Sequence, residues 1–150
     1  MKRLLAFLAV LVVGSMAAAQ VAAQSTPVAA IASPSTGKER VVIQVSTPDQ
    51  RMWAQSLNYA ENLRELYGKD NVEIEIVALG QGIGVLKLDS PMATRVADTL
   101  KSGVKVVACQ VTMRRQKLQK EDMLSDIGYV PAGLGEVIKR QREGWAYIGG

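Results

Sequence analysis

Val104-Lys105-Val106-Val107-Ala108-Cys109-Gln110-Val111-Thr112-Met113-Arg114-Arg115 passes directly from an apolar, β-branched run to a polar and cationic segment. The run behind Gly103 reads as a strand buried on both faces, as in parallel sheets. Open parallel sheets place their sites beyond the carboxyl ends of such strands. Cys109 is the single cysteine of the chain and stands at that junction. A thiol facing a helix start and two arginines there has a depressed pKa and more thiolate with which to react.

Upstream, the same strand-then-helix alternation repeats. Val41-Val42-Ile43-Gln44-Val45 is a first buried strand. Thr47 then reads as a helix cap, Pro48 as the first helical position and Gln50 as the residue that reaches back to the cap. Trp53, Leu57, Ala60, Leu63 and Tyr67 recur at helical spacing up to Gly68, so one stripe should lie on the sheet. Val72 to Leu79 alternates and then turns wholly apolar, as a strand entering the centre of a sheet does. A turn over Gly80 to Gly84 follows, and then a helix from Ser90-Pro91 with Met92, Val96 and Leu100 inward.

Downstream, Thr112 to Gln119 reads as a charged helix, Asp122 to Leu124 as a turn and Ile127 to Val130 as a short strand. Pro131-Ala132-Gly133 leads into a last helix with Leu134, Val137 and Ile138 inward, and Trp145 to Ile148 closes as a final strand. The alternation predicts an α/β fold, a three-layer α/β/α sandwich around a mostly parallel five-stranded sheet.

The amino terminus is of another kind. Lys2 and Arg3, an apolar stretch from Leu4 to Val13 and small residues with cleavage options after Ala19 or Ala23 read as a secretory signal over residues 1–23. The stretch is short of the ~20 residues that span a bilayer, and no second one follows. Residues 24–38, rich in Ser, Thr, Pro and Ala, read as a flexible leader, and residues 39–150 as the domain. The expected location is periplasmic or secreted, off the membrane once the signal is removed.

Composition narrows the chemistry. Cleavage removes Lys2 and Arg3 and no acid, so the formal net charge of +4 falls to +2. With 5% aromatic residues and no interleaving of aromatic and basic positions, nucleic acid is not an expected partner. One cysteine cannot close a disulfide within the chain, and the absence of histidine excludes Cys-His catalysis and histidine-ligated zinc. Met52, Met92, Met113 and Met123 form no copper-binding cluster, so neither a metal nor a cofactor is expected.

Three loops should meet at the thiol: Ser46-Thr47, Gly80 to Gly84, and Cys109 to Thr112. Gly80-x-Gly82-x-Gly84 is neither a dinucleotide fingerprint nor a phosphate loop, and reads as a turn allowing close backbone approach. Cys109 and Arg115 satisfy the Cys-x5-Arg spacing of an anion-wrapping loop, but the residues between include Val111 and Met113 and no glycine. Against every reactive role stands the plain alternative, a free cysteine buried as a small apolar side chain.

Val106 to Arg115, together with Gly80-Gln81-Gly82-Ile83, Val130-Pro131-Ala132-Gly133 and Arg140-Gln141-Arg142-Glu143-Gly144-Trp145-Ala146-Tyr147-Ile148, resembles the DsrE/DsrF-like family of sulfur-relay proteins, in its exported single-domain branch. The resemblance covers roughly Arg40 to Gly149. It implies a parallel-sheet domain that assembles as trimers or hexamers and a cysteine at position 109 that carries sulfur as a persulfide between proteins. Gln110, Thr112, Arg114 and Arg115 are then expected to stabilise the anionic sulfur, with Ser46, Thr47, Gly80, Gly82 and Gly84 lining the site. The implied partners are copies of the chain and either sulfur donor and acceptor proteins or small sulfur species. The alternative is a non-catalytic binding or assembly module that keeps only the fold.

Overall fold

The computed structural model describes residues 37–149. Five strands, β1 (Glu39–Val45), β2 (Val72–Ala78), β3 (Lys105–Cys109), β4 (Gly128–Val130) and β5 (Ala146–Gly149), form one sheet in the order β4-β3-β2-β1-β5. All four pairings are parallel. The helices between them are α1 (Gln50–Tyr67), α2 (Ala93–Lys101), α3 (Gln110–Gln116) and α4 (Gly133–Arg142). The α/β class and the five-stranded parallel sheet are as the sequence predicts.

The parallel register sorts the side chains. Val41, Ile43 and Val45 of β1 share a face with Ile74, Ile76 and Ala78 of β2 and with Val106 and Ala108 of β3. Trp53, Leu57 and Ala60 of α1, Val96 of α2 and Met113 of α3 complete that main core. The opposite face, reached by Val42 and Val77, packs on Val137 of α4 and on Trp145. The chain order explains this split. Right-handed crossovers that step along the sheet from β1 to β4 leave their helices on one side, and the return to β5 beyond β1 puts α4 on the other.

Several element ends differ from the expected ones. Asp49, not Thr47, caps α1: its Oδ1 accepts the Arg51 N–H at 2.8 Å, and its carbonyl accepts the Trp53 N–H. Thr47 instead offers its carbonyl to Trp53 Nε1 at 2.7 Å, which ties the loop to the core before the helix begins. The third helix starts at Gln110, immediately after the strand, and ends at Lys117 with φ 57°. Gly80 to Leu86 forms a 3-10 helix where a turn was expected, and a second short one spans Lys120–Asp122.

The rotation of α4 is the largest correction. Leu134 and Ile138, expected inward, are 59% and 48% exposed, while Val137 is buried. The inward side carries Glu136 and Arg140 instead, because Glu75 on β2 faces α4 and is 1% exposed. Arg140 Nη2 lies 2.5 Å from Glu75 Oε2, and Arg140 Nε lies 2.9 Å from Glu136 Oε1. Burial pushes the Glu75 carboxyl above its ordinary range, with Arg140 opposing and Glu136 adding to the rise. Burying a charge of this kind requires a partner, and the helix turns to supply it.

Gly82 is fixed by contact. A Cβ there would overlap the Val45 carbonyl and lie 2.6 Å from the Ser46 nitrogen, so the 3-10 helix rests directly on the end of β1. Gly82→Ala is therefore expected to lower stability by about 1–3 kcal/mol, seen as a lower urea midpoint at unchanged slope.

Candidate functional site around Cys109

Cys109 is the last residue of β3 and the cap of α3, and it is 4% exposed. Its side chain therefore leaves a strand and meets a helix start without an intervening loop. Sγ accepts the Thr112 N–H at 3.4 Å and, from α4 on the other side of the sheet edge, the Gly133 N–H at 3.1 Å. Both donors belong to first turns, whose amides have no helical partner and carry the positive end of the helix dipole.

Thr112 adds its hydroxyl. Its Oγ1 accepts the Gly80 N–H at 3.0 Å, which turns the hydroxyl proton toward other acceptors, and the Thr112 side chain favours the anionic form of the sulfur. Gly80 is held in turn through its carbonyl, which accepts Gln116 Nε2 at 2.9 Å. The ends of β2 and β3 are thus joined by a short chain of hydrogen bonds that terminates on sulfur.

Two opposing effects set the thiol's acidity. Burial pushes Cys109 up, because a thiolate is poorly solvated in a dry site. The Thr112 hydroxyl and the amides of Gly133, Thr112 and Val111 pull it down, and they prevail: the thiol lies below its ordinary value. Hydrogen bonds to an anion are about twice as strong as neutral ones, which lets a few donors outweigh burial. The balance shifts toward the thiolate with no histidine in the chain.

Gly133 was not among the residues expected to line the site. A Cβ there would lie 3.0 Å from the Cys109 Cβ and 3.1 Å from the Leu79 Cβ, so glycine lets this amide approach without displacing either neighbour. The signal was present in the sequence, since glycine in the first turn of a helix is a poor helix former and marks a close approach.

The expected site residues separate into two groups. Cys109, Thr112 and Gly80 come together. Gly82 and Gly84 pack against Val45 and the Trp53 ring, Ser46 lies beside Gly80 through its carbonyl, and Thr47 binds Trp53. Gln110 is half-buried and offers the sulfur no hydrogen bond from its side chain. Arg114 and Arg115 sit in the last turn of α3, exposed, about 8 Å along the axis from the sulfur. There they face the negative end of the helix dipole. The Cys-x5-Arg spacing therefore wraps nothing here. Among the described residues no group of His, Cys, Asp and Glu could hold a metal ion, and no helix is long and apolar enough to cross a membrane.

The comparisons bear on the fold and the family. The profile of the DsrE/DsrF-like family matches residues 39–149, nearly every residue described. The chain belongs to the DsrE/DsrF-like family. Its sheet superimposes on that of MTH1491 of Methanobacterium thermoautotrophicum, a protein of unknown function, with TM-score 0.72 and 32% identity over 75% of this chain and all of that one. The conserved protein BT1422 of Bacteroides thetaiotaomicron, also of unknown function, gives TM-score 0.60 at 16% identity, covering 74% of this chain and 94% of its own. YchN of E. coli gives 0.61 at 12% identity, covering 75% and 99% respectively. These last two share the fold. No curated protein is significantly similar.

Thr112→Val removes the hydroxyl and keeps the shape of the side chain. It is expected to raise the pH midpoint of Cys109 alkylation by iodoacetamide and, below that midpoint, to slow the reaction by about tenfold. The sign follows from losing a donor that favours the anion, since less thiolate is then present at a given pH.

Proposed function

We propose that this protein is an exported sulfur carrier in which Cys109 receives sulfane sulfur as a persulfide and passes it to a second thiol. The observation that carries the reading is the ring of donors on Sγ, from Thr112 and Gly133, which holds a nucleophilic thiolate in a chain with no histidine. Membership of the DsrE/DsrF-like family supports it, as does the secretory reading of residues 1–23.

The chemistry needs one sulfur. The Cys109 thiolate attacks the outer sulfur of a persulfide or polysulfide; the donor's S–S bond breaks, its electron pair leaves on the donor's thiolate, and a new S–S bond forms on Cys109. Delivery repeats the exchange with an acceptor thiolate, and Cys109 leaves as the thiolate it was. No net oxidation occurs and no cofactor takes part. The same donors that stabilise the thiolate as nucleophile stabilise it as leaving group, so the two directions are helped alike.

A second reading has its own support. Cys109 is buried, and Leu134, Ile138 and Tyr147 are exposed apolar side chains on α4 and β5. On this view the domain is an assembly module, forming trimers or hexamers through such surfaces, and the cysteine packs. Trp53 and Trp145 are themselves buried and do not belong to any such surface.

Intact-mass spectrometry after polysulfide treatment separates the two. A carrier shows an adduct of about 32 Da, reversed by dithiothreitol and absent from Cys109→Ser. A folded protein whose mass does not change would remove the carrier reading and leave the module.

A further inference from the structure

α4 is thinly attached by apolar contacts. Of its residues only Gly133 and Val137 are buried, and the cluster beneath it consists of Val42, Val77, Val137 and Trp145 with half-buried Leu79 and Val107 at its margin. Beside it the sheet face opens into a groove of about 530 Å³ over Val107, Gly128 and Val130, with Glu136 and Arg140 on its helix side. Charge supplies the remaining attachment. Arg140 reaches Glu75 of β2, Glu136 one turn back and Glu143 at the helix end, and its guanidinium lies 4.7 Å over the Trp145 ring.

The other end of the helix has no slack. Gly133 sits so close to Cys109 and Leu79 that a Cβ there would press on both at 3.0 and 3.1 Å, and its N–H meets Sγ at 3.1 Å. Arg140 lies seven positions further on, about 10 Å of helix. A rigid rod of that length, pinned at one end by a buried ion pair, carries any displacement of the pin to the amide at its tip.

We propose that Arg140 is a positioning residue for Cys109: its ion pairs with Glu75 and Glu136 set the height of α4 above the sheet, and so the length of the Gly133 N–H···Sγ bond. Both carboxylate oxygens of Glu75 are buried, and the Arg140 guanidinium, 2.5 Å from Oε2, supplies the opposite charge. Removing the guanidinium takes away the charge partner of a buried carboxyl and with it the contact that ties this end of α4 to β2, so the helix is free to shift on the sheet. The proposal rests on Cys109 being the reactive sulfur, but its test reads the thiolate itself and requires no sulfur donor.

The test is thiolate absorbance near about 240 nm against pH in the full chain, taken as the difference from Cys109→Ser. Arg140→Met is expected to raise the midpoint by about half to one unit, a three- to tenfold loss of thiolate below it. Arg142→Met, an exposed change on the same helix, should leave the curve in place. Combining Glu75→Leu with Arg140→Met should restore the midpoint, because an apolar pair can replace a buried ion pair without loss of anchoring. A folded double variant that keeps the raised midpoint counts against the proposal.

A purely structural role for Arg140 would lower the melting temperature and leave the midpoint of the folded variant unmoved, and that result overturns the proposal. If Arg140→Met does not fold, Glu136→Gln decides: a smaller rise sustains the proposal and a curve matching the parent overturns it. A shifted midpoint with no persulfide formed removes the carrier reading alone. Persulfide formation with an unshifted midpoint removes the positioning role alone.

Discussion

Parallel pairing ends all five strands at one edge, and the surroundings of Cys109 follow from that constraint. Because β1, β2 and β3 run side by side in register, the segments leaving them at Ser46, Leu79-Gly80 and Gln110 emerge together. The amide of Gly80 can then reach Thr112, and the amide of Gly133 can reach the sulfur, across gaps in sequence of 32 and 24 residues. An antiparallel neighbour would have sent one of these loops to the far edge. Reversal of the chain after β4 matters equally, since it brings α4 onto the face to which the Cys109 side chain points.

The site shows how a thiolate is stabilised when histidine is absent. Backbone amides cannot titrate, so their support is constant across the whole pH range in which the sulfur changes state, unlike that of an imidazole. They act only at short range and in fixed directions, which places strict demands on the backbone. Glycine at 133 meets one such demand, and helix starts at Gln110 and Gly133 meet the other.

Much of this was legible in the sequence. β-branched runs at Val41, Val72 and Val104, separated by helical periodicity, indicate a parallel α/β sheet, and the junction at Cys109 points to the strand end. Two things were hidden. Charge near a thiol is easy to find along the chain, but Arg114 and Arg115 are carried away from the sulfur by the helix that begins at Gln110, whereas the hydrogen bonds that reach it come from the main-chain amides of Thr112 and Gly133, marked in the sequence only by the glycine at 133. The orientation of α4 was hidden for a related reason. Leu134, Val137 and Ile138 allow more than one inward face, and the choice among them rests on Glu75, a residue on a distant strand whose alternation with Ile74 and Ile76 looks like ordinary amphipathic patterning.

That alternation has a consequence for how the sheet assembles. Glu73 and Glu75 share the face toward α4, while Ile74 and Ile76 share the face toward α1. Side chains alternate with a period of two, so a slip of β2 by a single residue would drive both carboxylates into the main core against Trp53 and Leu57 and turn the isoleucines outward. In a parallel sheet of β-branched strands, where neighbouring registers differ little in apolar burial, the acidic pair makes the wrong alignment prohibitive. Glu75 thus acts as a key that admits the central strand in one position only.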